Sequence, residues 1–148
     1  MITNVTIIST NLNRNILNNY QEYKIIDNNF TYEELLKNKM VIFFNVLSNL
    51  SNEELNKLYT FLKKNNIYFI NVTNNIEETL FADKLIIYDK DKVLAEGNTL
   101  ELLQNEKLLK RLGFNLPFIM QLSILLKDYN LTNKIFLNKE SLAGELWK

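Results

Sequence analysis

Apolar and polar positions alternate along the first two thirds of the chain in a way that predicts buried strands separated by helices. Val5–Ser9, Tyr23–Ile26, Met40–Leu47 and Ile67–Thr73 are short runs of mainly apolar residues. Such runs are typical of strands that are covered on both faces. A hairpin is predicted over Lys84–Ala95, turning where Asp89, Lys90 and Asp91 interrupt the apolar pattern.

A helix is predicted between the third and fourth of these strands. Ser51 followed by Glu54 forms a capping-box pattern, and the helix is expected to end near Lys64, before Asn65 and Asn66. Its apolar positions follow the i, i+3, i+4, i+7 spacing of one helix face: Leu55, Leu58, Tyr59 and Leu62. Strand, helix and strand of these lengths predict a right-handed βαβ unit with parallel strands.

The last third of the chain has helical periodicity. We expect one helix from Asn98 to Leu112 that stops at Gly113, and a second that is capped by Asn115 and runs to about Tyr129. A final helix is predicted over Lys139–Trp147, and Asn75 with Glu78 is expected to cap a short helix before the hairpin. The predicted fold class is therefore α/β, with a small parallel-sheet layer over residues 1–97 and a helical segment over residues 98–148.

Composition excludes several classes of function. The 148 residues contain no histidine, no cysteine and only three glycines, so a Ser-His-Asp triad, a thiol nucleophile and the glycine-rich phosphate loops are absent. Seventeen basic residues balance seventeen acidic ones, which gives no field to attract nucleic acid. No apolar run is long enough to span a membrane and the N-terminus lacks a signal-peptide pattern, so we expect a cytoplasmic protein without direct membrane insertion.

Several segments resemble ATP-binding-cassette ATPases. In that family a four-residue apolar strand precedes D-E-P-T-S-G-L-D, and here Met40–Phe43 precedes FNVLSNLS. Ile76–Lys84 (IEETLFADK) resembles a family helix such as MEEALFADR, and Gly113–Leu122 (GFNLPFIMQL) resembles G-L-D-L-P-F-x-x-Q-L of the energy-coupling-factor (ECF) ATPases of vitamin and metal-ion uptake. Residues 40–148 thus resemble the C-terminal half of such an ATPase. Residues 1–39 match neither its phosphate loop nor its L-S-G-G-Q signature, which implies a truncated and degenerate relative.

The departures from the family pattern fall on its chemistry. Phe44 matches the magnesium-binding aspartate and Asn45 the catalytic glutamate, while Asn74 matches the switch histidine and Ser51 the D-loop aspartate. A phenyl ring cannot coordinate a hard cation, and a neutral amide cannot act as a general base. The resemblance therefore implies a fold without ATPase activity, catalytic residues, metal or cofactor. Asn45 and Asn74 are also interpretable simply as turn and cap residues.

The C-terminal helices carry the predicted interface. In the ECF branch this region pairs the two nucleotide-binding subunits, which implies self-association or binding to an intact ECF-type ATPase subunit, peripheral to the inner face of the membrane. The predicted interface residues are Phe118, Leu122, Leu125, Leu126 and Trp147. The alternative hypothesis is a residual nucleotide-binding protein, or a regulator without a transporter role.

Overall fold

Each predicted apolar run forms a strand in the computed structural model, which describes residues 4–147. The predicted sheet layer begins at residue 1 and the predicted helical segment ends at residue 148, and both of these residues lie outside the described range. The strands are β1 (Asn4–Ile8), β2 (Lys24–Ile26), β3 (Met40–Phe44), β4 (Tyr68–Thr73), β5 (Lys84–Asp89) and β6 (Lys92–Asn98). The helices are α1 (Tyr32–Leu36), α2 (Asn52–Lys64), α3 (Thr99–Leu103), α4 (Glu106–Arg111), α5 (Phe118–Asp128) and α6 (Lys139–Leu146). Two 3₁₀ helices cover Arg14–Tyr20 and Ile76–Phe81.

The six strands form one sheet in the order β2-β3-β4-β1-β5-β6. The first five are parallel to their neighbours, and β6 pairs antiparallel with β5 as the predicted hairpin. The β5–β6 ladder shifts register between Ile87 and Tyr88. β3, α2 and β4 form the predicted βαβ unit, because β3 and β4 are adjacent and parallel. The α/β class with a mainly parallel sheet is confirmed.

Helix α2 forms as its sequence pattern predicts. The Ser51 hydroxyl accepts a hydrogen bond from the Glu54 N–H (3.1 Å), and the Glu54 carboxylate accepts one from the Ser51 N–H (3.2 Å). Beyond the last turn, Asn66 has a φ of 56°, in the left-handed region that asparagine tolerates. The four predicted apolar positions of α2 are all buried against the sheet.

One face of the sheet carries two apolar clusters. The α2 cluster joins β3 and β4 to α2 and includes Val41, Phe43, Phe69, Leu58 and Leu62. The C-terminal cluster joins β1 and β5 to the C-terminal helices and includes Ile8, Leu85, Ile87, Leu109 and Met120. Ile76 and Leu80 of the second 3₁₀ helix pack on the C-terminal cluster, whereas Phe81 packs on the α2 cluster. This 3₁₀ helix therefore bridges the two clusters.

A buried polar seam runs between the two clusters. Its strand residues are Asn4, Thr6, Asn71 and Thr73. The buried hydroxyl of Tyr59, on α2, lies near Asn71 and Glu78 at this seam. Burial raises the pKa of Tyr59 well above its usual value of 10, and the nearby carboxylate of Glu78 raises it further.

The other face of the sheet is covered by the chain between β1 and β2. Its cluster includes Val5, Ile7, Ile42, Ile70 and Val72, packed under Ile16. Ile16 belongs to the 3₁₀ helix Arg14–Tyr20, which the polar sequence between the first two strands does not predict. β1 and β2 both join the parallel sheet, as expected of Val5–Ser9 and Tyr23–Ile26.

The C-terminal helices differ from two predictions. The single helix expected from Asn98 to Leu112 is two helices, because the side chain of Asn105 caps a new start by accepting a hydrogen bond from the Leu108 N–H (3.2 Å). Asn115 does not cap α5, since the residue at the N-cap is Pro117 and no side chain of its own segment caps the helix. Gly113 follows the end of α4 with a φ of 90°, as predicted for a helix stop. The division near residue 97 stays a prediction.

We predict that Tyr59 limits stability in alkali. Because its folded-state pKa lies above 10, the stability linked to its neutral form is complete below pH 10 and is lost as pH rises above that value. Between pH 10 and 11 the wild type should lose about 1 kcal/mol more unfolding free energy than Tyr59→Phe. Urea titrations at pH 7, 10 and 11 measure this difference.

Tyr129→Phe is the control, because it removes a phenol at an exposed position. It should follow the wild type at all three pH values. Equal alkaline losses for wild type and Tyr59→Phe would contradict the prediction.

Candidate functional site

The carboxyl ends of β1, β3 and β4 meet at one edge of the sheet. The Ser9 N–H donates to the Thr73 carbonyl (3.3 Å), and the Asn45 N–H donates to the Val72 carbonyl (2.7 Å). The chain leaves β1 towards the face covered by Ile16, but leaves β3 and β4 towards the opposite face. Open α/β sheets bind ligands where neighbouring connections diverge in this way. We call this place the strand-end region.

Phe44 and Asn45 lie in the strand-end region, in roles that packing and backbone geometry explain. The half-buried Phe44 ring packs on the cluster under Ile16, and the Arg14 guanidinium carbon lies 5.3 Å from its ring centroid. Asn45 is exposed and has a φ of 53°, so it makes the turn after β3. The turn interpretation of Asn45 therefore has a direct structural basis.

Ser51 and Asn74 complete the set of predicted family positions. Ser51 lies at the N-cap of α2, where its hydroxyl is used by the capping box. Asn74 is exposed after β4, and its neighbour Asn75 caps the following 3₁₀ helix. All four predicted positions carry uncharged side chains, and residues 4–147 contain no group of three or more acidic side chains placed to hold a metal ion. Chemically, these positions offer hydrogen-bonding groups without an acid–base pair.

Glu78 has a role that its sequence position did not reveal. Instead of joining a cap with Asn75, it turns inward and is 2% exposed. One carboxylate oxygen accepts a hydrogen bond from Asn71 Nδ2 (2.9 Å), and the other accepts one from Thr73 Oγ1 (2.8 Å). Two polar residues at alternate positions of a buried strand were the available signal for a buried polar partner. The expectation that Glu78 helps Asn75 to cap this helix is therefore wrong.

Glu77, the preceding residue, points to the C-terminal helices. Its carboxylate accepts a hydrogen bond from the backbone N–H of Phe118 (3.0 Å), the first residue of α5. Its own N–H donates to the Asn75 side chain (3.0 Å). Two consecutive glutamates therefore attach the same 3₁₀ helix to β4 on one side and to α5 on the other.

The predicted interface residues of α5 form a partly exposed apolar stripe, which we call the α5 stripe: Phe118, Leu122, Leu125 and Leu126. Phe118 is 69% exposed and Leu125 is 51% exposed, while Leu122 and Leu126 are half-buried. The other side of α5 packs inward through Met120 and Ser123. Trp147, at the end of α6, is 86% exposed.

A groove of about 1020 Å³ separates α5 from α2 and α6. Phe118, Leu122 and Trp147 line its apolar part, and Glu53 and Glu77 are among its polar lining residues. The predicted interface residues Phe118, Leu122 and Trp147 thus lie around one surface feature. No helix within residues 4–147 has the length and apolar character needed to cross a membrane.

Comparison with known proteins identifies relatives among transporter ATP-binding proteins. The chain is 33% identical over 96 residues to the energy-coupling factor transporter ATP-binding protein EcfA of Malacoplasma penetrans, which covers 64% of this chain and 33% of that protein. It is 38% identical over 79 residues to EcfA1 of Bacillus subtilis, covering 53% of this chain and 28% of the relative. No protein-family model matches the chain.

Comparison with solved structures finds a partial match to cbiO1 from Clostridium perfringens, described as part of the ABC transporter complex cbiONQ. The superposition has a TM-score of 0.40 and 19% identity, and it covers 49% of this chain and 31% of cbiO1. The resemblance to ECF-type ATP-binding proteins is confirmed by the curated relatives. The chain spans about a third of the length of these relatives.

We predict that Glu78→Ala destabilises the fold by about 3 kcal/mol, because it leaves the buried donors of Asn71 and Thr73 without their acceptors. Denaturant unfolding at pH 7 measures the change. Glu53→Ala removes an exposed acid from the first turn of α2 and should cost less than about 1 kcal/mol. Similar losses for the two variants would show that the buried hydrogen bonds of Glu78 contribute little.

Proposed function

We propose that this protein is a non-catalytic relative of ECF transporter ATP-binding proteins that serves as a binding or assembly module of such a transporter. The observation that carries the proposal is the exposed α5 stripe, on a segment that resembles the pairing region of ECF ATPases. An apolar helix surface with 69% of Phe118 and 51% of Leu125 exposed is typical of an interaction site.

The absence of catalysis is supported by the residues of the strand-end region. ATP hydrolysis needs a metal ion, a group that orients water and charge on the transferred phosphate. Phe44 has its ring packed on the sheet and paired with Arg14, and Asn45 is a neutral turn residue. Neither side chain can replace the carboxylates that the family uses at these positions.

The partner that the similarity favours is a full-length ECF-type ATP-binding subunit. The curated relatives are ECF transporter ATP-binding proteins by name, and the α5 stripe would supply the contact. Binding would place the protein at the cytoplasmic side of the membrane through the transporter, whose vitamin or metal-ion cargo it would not itself contact.

We predict that Leu125→Asp weakens binding to an ECF-type ATP-binding subunit at least tenfold, because it puts a charge on the α5 stripe. Co-purification and calorimetry of the full chain with the subunit from the same organism measure this loss. Val93→Asp is the matched control, since Val93 is also 51% exposed but lies on β6. It should bind like the wild type.

Two outcomes would change the proposal. If light scattering gives a monomer and co-purification recovers no transporter subunit, the proposal fails. If the chain forms a dimer that Leu125→Asp dissociates, and still recovers no subunit, the partner is a second copy instead.

We predict no heat of binding for Mg-ATP or Mg-ADP at millimolar concentration, because the side chains at the four family positions are uncharged. Isothermal titration calorimetry tests this, with an intact ECF-type subunit as positive control. Saturable binding of either nucleotide would instead favour the residual nucleotide-binding alternative.

A further inference from the structure

We propose that Glu77 is a positioning residue that holds the N-terminus of α5 and thereby sets how the α5 stripe is presented to a partner. This inference rests on the proposed function, because it assigns the stripe a role in binding. It adds a residue outside the stripe that controls its geometry.

The N-terminus of α5 depends on an acceptor from elsewhere in the chain. The first N–H groups of a helix have no partners within the helix, and a side chain at the N-cap usually accepts from one of them. Pro117 occupies the N-cap of α5 and has no side-chain acceptor. Glu77 replaces it by accepting from the Phe118 N–H at 3.0 Å. Its negative charge also lies where the helix dipole favours an anion.

The 3₁₀ helix that contains Glu77 is held in place by contacts with the central sheet and the C-terminal helices. This helix is tied to β4 by the two hydrogen bonds of Glu78. Ile76 and Leu80, on either side, pack on the C-terminal cluster. The Glu77 carboxylate therefore reaches α5 from a part of the structure that is joined to the central sheet.

The residue that Glu77 holds is the most exposed member of the α5 stripe. Phe118 has its backbone N–H bonded to Glu77, and its ring extends into solvent beside the groove that Glu77 also lines. A change in the backbone at Phe118 would move this ring and, one and two turns later, Leu122 and Leu125. The 3₁₀ helix thus links the carboxyl end of β4 to the predicted binding surface.

Glu77→Ala and Glu77→Gln separate positioning from a merely structural cap. Alanine removes the acceptor, while glutamine keeps a carbonyl oxygen that can accept from Phe118. Glu33→Ala is the control, because Glu33 is an exposed acid in the first turn of α1 and lies outside the lining of the groove. Each full-length variant is tested for hydrogen exchange of the Phe118 amide, for methyl chemical shifts of Leu122 and Leu125, and for binding to the ECF-type subunit.

In Glu77→Ala we expect the Phe118 amide to exchange about fivefold faster, as for loss of a helix cap. The methyl signals of Leu122 and Leu125 should shift, and binding should weaken about fivefold or more. Glu77→Gln should restore most of all three values, and Glu33→Ala should match the wild type.

Unchanged exchange or unchanged methyl signals in Glu77→Ala would overturn the positioning role. Faster exchange with unaltered binding would also overturn it, because Glu77 would then be only a cap. The exchange and methyl measurements need no partner. A wild-type chain that is monomeric and binds no subunit would therefore refute the proposed function, while these two measurements still decide whether Glu77 sets the geometry of α5.

Discussion

The oxygens of a buried carboxylate must accept hydrogen bonds from the protein, because they have lost their contact with water. At Glu78 this requirement fixes how β4 and the second 3₁₀ helix lie against each other. Transfer of an ionised group from water is costly unless hydrogen bonds replace its hydration. β4 supplies Asn71 and Thr73, which lie on the same face of the strand because they are two positions apart. A shift of β4 by one residue would turn both donors to the opposite apolar face. The pairing of Glu78 thus favours one register of the central strand.

The 3₁₀ helix held by Glu78 connects the two apolar clusters on this face of the sheet. The α2 cluster and the C-terminal cluster cover different strands of the same sheet face, with polar side chains between them. Phe81 contacts one cluster, and Ile76 and Leu80 contact the other. Since these contacts come from a six-residue segment, the C-terminal helices are tied to the sheet at a place where apolar packing alone would be interrupted.

Local patterns in the sequence predict most of the regular structure. The strands and α2 follow from apolar runs, periodicity and the Ser51 cap, which depend only on residues close in the chain. The break before α4 was missed because Leu102, Leu108 and Leu109 keep a helical appearance across it, while Asn105 restarts the helix. The 3₁₀ helix over Arg14–Tyr20 was missed because its composition is mainly polar.

The candidate site was predictable only in part, because local sequence patterns do not specify contacts between distant residues. Phe44, Asn45, Ser51 and Asn74 could be placed at strand and helix ends by resemblance. The roles of Glu77 and Glu78 depend on contacts across the fold. The Glu77–Phe118 bond joins residues 41 positions apart, a pairing that no local pattern specifies.

The edge strand β6 affects how two molecules of this protein can associate. An open strand edge can template pairing with another molecule, and Val93 is exposed there. The irregular register beside Ile87 and Tyr88 increases the local twist, and Lys92 and Glu96 add charge. The opposite edge, β2, has only three residues. Both edge strands are therefore poor templates for a continuous intermolecular sheet, which disfavours fibrous aggregation. Association through helical surfaces is favoured instead.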